Sequence, residues 1–266
     1  MAASSMGWVP GDSWLAPGYA EWAAPRQLRA MVACLWASVV SGDGPGTLIL
    51  PDGCCDLIWE QAAGSYVAGP DTGPVRTSSA PGTVIVGVRF RPSAGGPALG
   101  LPLSEIRDQR PDLADVLPGR VGARARRLPP GLDPAVAASR VLELAGVLVS
   151  GGAPDRAVAH AAGLLRDPAA RLEQVAAGAG LSERQLRRRF HDAVGYGPKT
   201  LQRVYRFQRF VQDVDASGGT CELPTAAIRA GYADQAHLTR DCVALSGLTP
   251  AALARARAGH RDQGPA

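Results

Sequence analysis

The chain has 266 residues, 46% of them apolar, a mean hydropathy near zero and a net charge of +4, as expected of a soluble globular protein with room for two domains. No long hydrophobic run is present, the apolar stretch of residues 31–40 is too short to cross a bilayer, and nothing before Arg26 carries the positive start of a signal peptide. We therefore expect a cytoplasmic protein without a membrane partner. The five cysteines include no C-x-x-C pair, which indicates neither a disulfide framework nor a zinc site.

The charge is unevenly distributed along the chain. Residues 1–120 hold 8 basic and 11 acidic groups, whereas residues 171–209 hold 9 basic and 3 acidic groups. This asymmetry is typical of a DNA-binding segment attached to a domain with another role.

The first 120 residues predict β structure. Short β-prone runs at residues 47–50, 57–59, 66–68 and 83–90 alternate with turn-forming residues at 51–53, 69–71 and 80–82. A small β-barrel or sandwich is the economical fold for this pattern.

The β-rich part lacks the residues that enzyme chemistry needs. All four histidines lie beyond residue 120, so a metal-dependent barrel would have no imidazole ligand, and neither a G-x-S-x-G elbow nor a phosphate-binding G-x-x-x-x-G-K-[ST] loop occurs. Asp52 and Asp56 flank a turn and favour turn capping over an acid/base pair. We therefore predict no catalytic residues, no metal and no cofactor.

Three features of this part leave alternatives open. Cys54 and Cys55 point to opposite faces of a strand and could form a sensor, although no basic neighbour lowers a thiol pKa. Arg89 and Arg91 share a strand face and either meet an anionic effector or pair with Glu60 or Glu105. Four aromatic side chains form either core or a ligand cage; they are Trp22, Trp36, Trp59 and Tyr66.

Residues 121–166 predict a linker and a helical hairpin. Residues 120–131, rich in Arg, Gly and Pro, are typical of a flexible boundary. Asp133 and Pro134 should cap and begin a helix that runs through Val149, and a second helix should end near Arg166. This hairpin either transmits a signal or pairs two subunits.

A helix-turn-helix unit is predicted around residues 172–194. Ser182 and Gln185 form a capping box, so a helix should begin there, after a turn containing Gly178 and Gly180. At 100° per residue its apolar residues form one face: Leu186, Phe190, Ala193 and Val194. The opposite face carries the residues suited to the major groove: Arg184, Arg187, Arg188 and His191.

A second unit follows about fifty residues later. Asp234 should cap its second helix, with Leu238, Cys242 and Leu245 buried. Its outward residues are Gln235, Ala236, Thr239 and Arg240. The connecting helix should run from Pro198 to about Ser217, and ~20 residues span ~30 Å. That length nearly matches the ~34 Å between successive major grooves, so one chain could read two grooves one helical turn apart.

Residues 168–258 resemble the DNA-binding domain of the AraC/XylS family of bacterial transcription regulators. The resemblance rests on Ala176, Gly180, Ser182, Leu186, Arg188 and Phe190, on Gly195, Pro198 and Arg206, and on Ala230-Gly231-Tyr232, Asp234, His237-Leu238, Arg240 and Gly247-Leu248-Thr249-Pro250. It implies that the outward residues early in each recognition helix contact bases. Cys242 stands where the family has Phe, and Ala251-Ala252-Leu253 replaces an aromatic-Arg ending, so we expect a looser second unit and most of the affinity from the first.

Residues 50–59 and 90–92 resemble an uncharacterised sensor-like domain that often precedes such DNA-binding domains, with cupin barrels as a candidate relative. The prediction is thus an α+β regulator with a β-rich sensor domain (residues 1–120), the linker and hairpin (121–166) and an all-α DNA-binding domain (167–260). The expected partner is double-stranded promoter DNA, with a small-molecule effector, RNA polymerase and a second copy of the chain as further candidates. The open alternatives are a cupin-like ligand-binding or enzymatic domain with a helical assembly module, and DNA binding without sequence choice.

Overall fold

The structure is a computed structural model that describes residues 18–42 and 46–261, without the side chains of residues 259–261. Its strands are β1 (Gly18–Ala23), β2 (Val32–Val39), β3 (Thr47–Ile49), β4 (Cys55–Glu60), β5 (Gly64–Ala68), β6 (Val75–Thr77) and β7 (Val84–Phe90). Five of them form an antiparallel sheet in the order β1-β2-β7-β4-β5, and β3 pairs with β6 in a separate ribbon. The predicted runs in the first 120 residues correspond to β3, β4, β5 and β7, whereas β1, β2 and β6 were not predicted.

The two faces of the sheet are buried against different partners. Along β7, Val86 and Val88 point into the main core, while Ile85 packs on the opposite face with Trp36 and Ile58. This alternation follows from the two-residue period of a strand, and it explains why β7 is apolar at nearly every position.

Helices cover the main face. The N-terminal helices are α1 (Gly95–Leu99), a 3-10 helix (Leu103–Glu105), α2 (Leu113–Val116), α3 (Gly119–Ala125) and α4 (Pro134–Gly151). By length and composition alone α4 could span a membrane, with a mean hydropathy of 1.3. In this structure α4 packs on β4 and β7, and its buried residues include Val141 and Leu144.

Residues 120–131 are not the flexible boundary that their composition predicted. The first half of this segment is in α3, Leu128 is buried in the main core, and the backbone oxygen of Pro129 accepts a hydrogen bond from the Trp59 indole at 2.9 Å. The composition of this segment correctly predicts that its arginines are exposed. It does not indicate which contacts with the core hold the segment in place.

The ion pairs of Arg89 differ from those considered from the sequence. Its guanidinium contacts the carboxylates of Asp56 at 3.2 Å, Glu21 at 3.3 Å and Asp52 at 3.4 Å. It does not pair with Glu60 or Glu105, the two partners considered from the sequence. The reason is register, because Asp56 lies directly opposite Arg89 where β4 pairs with β7. Three carboxylates around one guanidinium leave no positive charge for an anionic effector.

The four aromatic side chains do not form one cage. Trp59 is fully buried in the main core and Trp22 packs at its edge, whereas Trp36 and Tyr66 pack on the opposite face of the sheet. The indole of Trp36 lies against Gly87, where any larger residue would overlap the ring. Two pairs of rings on opposite faces cannot enclose one ligand.

The adjacent residues Cys54 and Cys55 are not activated thiols. Cys55 is buried and Cys54 is half-buried. Burial raises the pKa of both thiols well above the ordinary value, and the nearby Asp52 carboxylate raises that of Cys54 further. Because the thiolate is the reactive form, this environment opposes a redox role.

The C-terminal half is entirely helical in the part that the structure describes. Its helices are α5 (Arg156–Leu164), α6 (Leu172–Gly178), α7 (Glu183–Val194), α8 (Pro198–Ala216), α9 (Leu223–Ala230), α10 (Gln235–Ser246) and α11 (Pro250–Arg261). The predicted two-domain α+β class, β-rich first and helical second, is confirmed. The two helices of the expected hairpin belong to different cores, since α4 packs on the sheet and α5 packs with α6 and α7.

The helical half has two separate cores that share α8. Leu201 and Tyr205, in the first half of α8, pack with α5, α6 and α7. Phe207 and Phe210, further along, pack with α9, α10 and α11. One continuous helix therefore joins two helical units, each with its own core.

Candidate nucleic-acid interface

The first unit ends in a well-defined recognition helix, α7. The Ser182 hydroxyl accepts a hydrogen bond from the backbone amide of Gln185 at 3.3 Å. The Gln185 side-chain oxygen accepts one from the backbone amide of Ser182 at 2.9 Å. The predicted capping box is therefore present. At the other end Gly195 adopts φ 89°, a left-handed conformation that glycine tolerates best.

One side of α7 is buried and the other is a row of cations. Leu186 and Phe190 are fully buried. The exposed side carries the four residues predicted from the sequence: Arg184, Arg187, Arg188 and His191. Among the described residues Arg184 and Arg188 have no ion-pair partner, whereas Arg187 pairs with Glu183 at 3.2 Å, one turn earlier.

Arg189, the fourth arginine of this helix, has a different environment. It is half-buried, and its guanidinium contacts Asp155 of the preceding segment at 3.3 Å. Since Asp155 also caps α5, this pair attaches α5 to the first unit. The arginines of α7 thus divide into three that face solvent and one that holds the unit together.

The second recognition helix, α10, begins at the predicted cap. The Asp234 carboxylate accepts a hydrogen bond from the His237 amide at 2.6 Å. Gln235, Ala236 and Arg240 are exposed as predicted. Thr239 is half-buried and its hydroxyl donates to the backbone oxygen of Gln235 at 2.8 Å, which leaves its methyl group as the part available to a partner.

An ion pair that was not predicted attaches α10 to α8. Arg203 contacts the buried Asp241 carboxylate at 2.7 Å. The second oxygen of Asp241 lies 3.9 Å from His237, whose ring packs edge-on against Tyr232. The sequence did contain a signal for this ion pair. Asp241 lies within the buried stripe of α10, and a buried carboxylate requires a cationic partner.

The two units also meet directly. Pro168, in the segment between α5 and α6, lies so close to Gly231 that any side chain at position 231 would overlap it. Gln202 of α8 donates to the backbone oxygen of Ala170 in the same segment at 2.9 Å. These contacts restrain the first unit relative to the turn that precedes α10.

A cleft of about 380 Å³ lies beside the cationic face of α7. Its lining includes Arg171, Arg187 and Lys199, together with Glu173 and Glu183. Sequence reasoning gave no role to Arg171 or Lys199, because they lie before α6 and early in α8, outside the pattern of the recognition helix. Both add positive charge at the border of the predicted interface.

Comparison with known families agrees with this geometry. Residues 175–256 match a family described as a helix-turn-helix domain, and residues 20–112 match a domain of unknown function, DUF6597. The chain is thus a DNA-binding transcription regulator with a tandem helix-turn-helix domain behind an N-terminal β-rich domain. Within that class its DNA-binding domain is of the AraC type, which confirms the resemblance drawn from the sequence.

Among solved structures the chain is similar to ToxT from Vibrio cholerae. An apo variant of ToxT shares 10% identity at a TM-score of 0.43, with 83% of this chain and 97% of that chain covered. A second ToxT structure shares 11% identity at a TM-score of 0.43, with 85% and 98% covered. The comparison with curated proteins finds no match.

Proposed function

We propose that this protein is a sequence-specific regulator that reads two successive major grooves of promoter DNA, with α7 in one groove and α10 in the next. The observation that carries the proposal is the exposed cationic face of α7. Its guanidinium groups at Arg184 and Arg188 are fixed on a capped helix and have no ion-pair partner in the described part of the chain. Exposed cations on a rigid helix suit phosphate and guanine contacts.

The length of α8 supports simultaneous reading of two grooves. Its 19 residues span about 28 Å at 1.5 Å per residue, close to the ~34 Å helical repeat of DNA. Each half of α8 lies in the core of one unit, so its length contributes directly to the separation of the two recognition helices.

The proposed contacts follow the chemistry of each side chain. Arg184, Arg187, Arg188 and Arg240 bind guanine edges or phosphates, and His191 contacts the backbone at the far end of α7. Gln235 suits the edge of adenine, whereas Ala236 and the Thr239 methyl group suit the methyl group of thymine. Arg187 must first leave Glu183, so we assign it to phosphate rather than to a base.

Selection of binding sites from random DNA tests this proposal. We expect an enriched motif with two conserved segments about one helical turn apart, bound at moderate salt in the presence of excess bulk DNA. Recovery of unrelated sequences would assign the protein to binding without sequence choice, and no recovery at all would favour an assembly role for the helical half.

Arg188→Ala identifies the type of contact that this residue makes. A guanidinium that forks onto a guanine contributes roughly 1 to 3 kcal/mol, so we expect a loss of that size concentrated at one base position of the selected site. Arg124→Ala removes the same charge from an exposed position on α3 and should leave the binding profile unchanged. An equal loss on every sequence would reassign Arg188 to the DNA backbone.

For the N-terminal domain we propose a regulatory role, through an effector, through dimerisation, or through both. The packing of α4 on the sheet and of α5 in the first helix-turn-helix unit supports a domain division at residues 152–155, rather than at residue 120. The carboxylates around Arg89 favour a neutral or cationic effector over an anionic one. A thermal-shift screen of metabolites tests effector binding, and sedimentation of the full chain tests dimerisation.

The proposed role requires no covalent chemistry, metal or cofactor. A promoter-binding protein acts in the cytoplasm at the nucleoid and influences RNA polymerase, which we propose as its indirect or direct partner. Transcription in vitro from a promoter that carries the selected site, with and without the protein, gives the sign of regulation.

A further inference from the structure

One loop of the N-terminal domain reaches both recognition helices. The β5–β6 loop, residues 69–74, contains Pro70 and Pro74. At the end of α7, a Cβ atom built on Gly195 would lie 2.5 Å from Pro70 Cγ. At the end of α10, a Cβ atom built on Gly247 would lie 3.7 Å from Pro74 Cγ. The two prolines thus stand against the C-terminal glycines of the two recognition helices.

The loop itself is fixed in place. Asp71 is buried and forms two hydrogen bonds with the Arg110 guanidinium, at 2.6 and 2.9 Å. The next residue, Thr72, donates from its amide to the Asp108 carboxylate at 2.6 Å. A bidentate Arg–carboxylate pair fixes orientation as well as distance, so the two prolines keep a defined separation.

Further contacts of the same domain support both units. Gly96 of α1 packs against the last turn of α7, where an added Cβ would lie 2.6 Å from the Asp192 backbone oxygen. The Pro51 backbone oxygen accepts a hydrogen bond from Gln208 of α8 at 2.6 Å, and Leu50 packs against the core of the second unit. The N-terminal domain therefore contacts the first unit, the second unit and the helix between them.

These contacts leave the proposed reading surfaces free. The loop touches the C-terminal ends of α7 and α10, whereas Arg184, Gln235 and Ala236 lie in the first turns and are exposed. Because the two units have separate cores, their relative orientation depends on α8, on the direct contacts between them and on the contacts that the N-terminal domain makes with both. Among the latter, this loop lies at the C-terminal ends of both recognition helices.

We propose that the β5–β6 loop is a spacing bracket: it fixes the separation of the C-terminal ends of the two recognition helices and so determines which spacing the protein accepts between its two DNA segments. The inference rests on the proposed reading of two grooves. One inserted base pair moves a segment by ~3.4 Å and rotates it by about 35° around the DNA axis, which a rigid pair of helices cannot follow.

The test uses the full chain and duplexes of the selected site in which the spacing is altered by one or two base pairs in either direction. We expect the wild type to lose at least about tenfold in affinity on every altered spacing. Pro74→Gly removes the ring that lies beside Gly247 and loosens the loop at an exposed position, so the loss on altered spacing should shrink to within about threefold. Affinity for the original spacing should change little.

Two further variants make the result decisive. Pro81→Gly makes the same substitution in the β6–β7 turn, next to Gly82, which has no atom within 4 Å of an added Cβ, and should behave as the wild type. Arg110→Gln loosens the loop from its other attachment and should behave as Pro74→Gly, provided that its circular dichroism spectrum matches that of the wild type.

Unchanged discrimination between spacings in both loop variants overturns the bracket while leaving the proposed function intact. Wild-type protein that selects no two-segment site overturns the proposed function itself. The two failures are therefore distinguishable in one set of measurements.

Discussion

Asp56 is the residue whose environment changes its chemistry most clearly. It is buried on β4, accepts a hydrogen bond from the Trp36 indole at 3.0 Å and pairs with Arg89. Burial, with a smaller contribution from the neighbouring Asp52 carboxylate, raises its pKa from 3.8 to about 6, even though Arg89 and the indole lower it. Desolvation therefore outweighs the ion pair at this position.

This pKa predicts a pH dependence with a definite sign. A carboxyl group whose folded-state pKa is raised stabilises the fold while it is protonated, so this contribution is complete below pH 4 and is lost as the pH rises through about 6. We expect the Asp56 carboxyl carbon to titrate with a midpoint near 6 in an NMR experiment on the full chain. Asp56→Asn should remove that resonance and flatten the change in unfolding free energy between pH 4 and 6. A midpoint near 4 would show that Arg89 and Trp36 dominate instead.

Residues whose exposure follows from the pattern of their own helix were predictable from the sequence. Arg184, Arg188, Gln235 and Arg240 lie on the polar side of helices whose apolar side is continuous, so a 100° rotation per residue places them correctly on exposed surface. Residues that act through a partner on another element were missed. Arg203 and Asp241 are 38 positions apart in the sequence, and no local pattern encodes a contact over that separation.

At the scale of elements, the start of α7 is decided by its capping box. We expect Ser182→Ala to lower the unfolding free energy by about 1 kcal/mol, because the Gln185 amide loses its acceptor at an exposed helix end. Urea denaturation followed by circular dichroism measures this change, and hydrogen exchange of the Gln185 amide should accelerate. Ser182→Asp keeps a capping oxygen and should preserve both quantities. Equal destabilisation by Ala and Asp would assign the effect to something other than the cap.

The success of element prediction followed the strength of local signals. Helices α7, α8 and α10 have a cap or a proline at their first turn and a clear apolar stripe, and the sequence located all three. The strand β1 was missed because it is exposed along nearly its whole length, which removes the alternation that identifies a strand. The packing of α4 on the sheet was missed because an apolar helix does not specify which surface it covers.

The arrangement of the whole molecule was the part least accessible from the sequence. Contacts between the domains are made by small residues such as Gly53, Gly96 and Pro70, whose value is that they allow close approach. A Cβ atom at Gly53 would lie 2.7 Å from Leu201 Cδ1, and nothing in the surrounding sequence marks this glycine as different from one in an ordinary turn. Charge asymmetry, by contrast, was visible in the sequence because it depends on composition alone.

That asymmetry predicts how the whole molecule responds to salt. The net charge is only +4, but residues 171–209 carry 9 basic and 3 acidic groups, so DNA meets a local positive surface. Each neutralised phosphate contributes about −0.9 to the slope of log K against log salt, and four phosphate contacts would give roughly −3.6. We expect anisotropy titrations in increasing KCl to give a slope of that order. Lys199→Gln, at the cleft beside α7, should reduce its magnitude by about 1, whereas Arg124→Gln on α3 should not. A slope near zero would contradict DNA binding through this surface, because counterion release accompanies any phosphate contact that the arginines make.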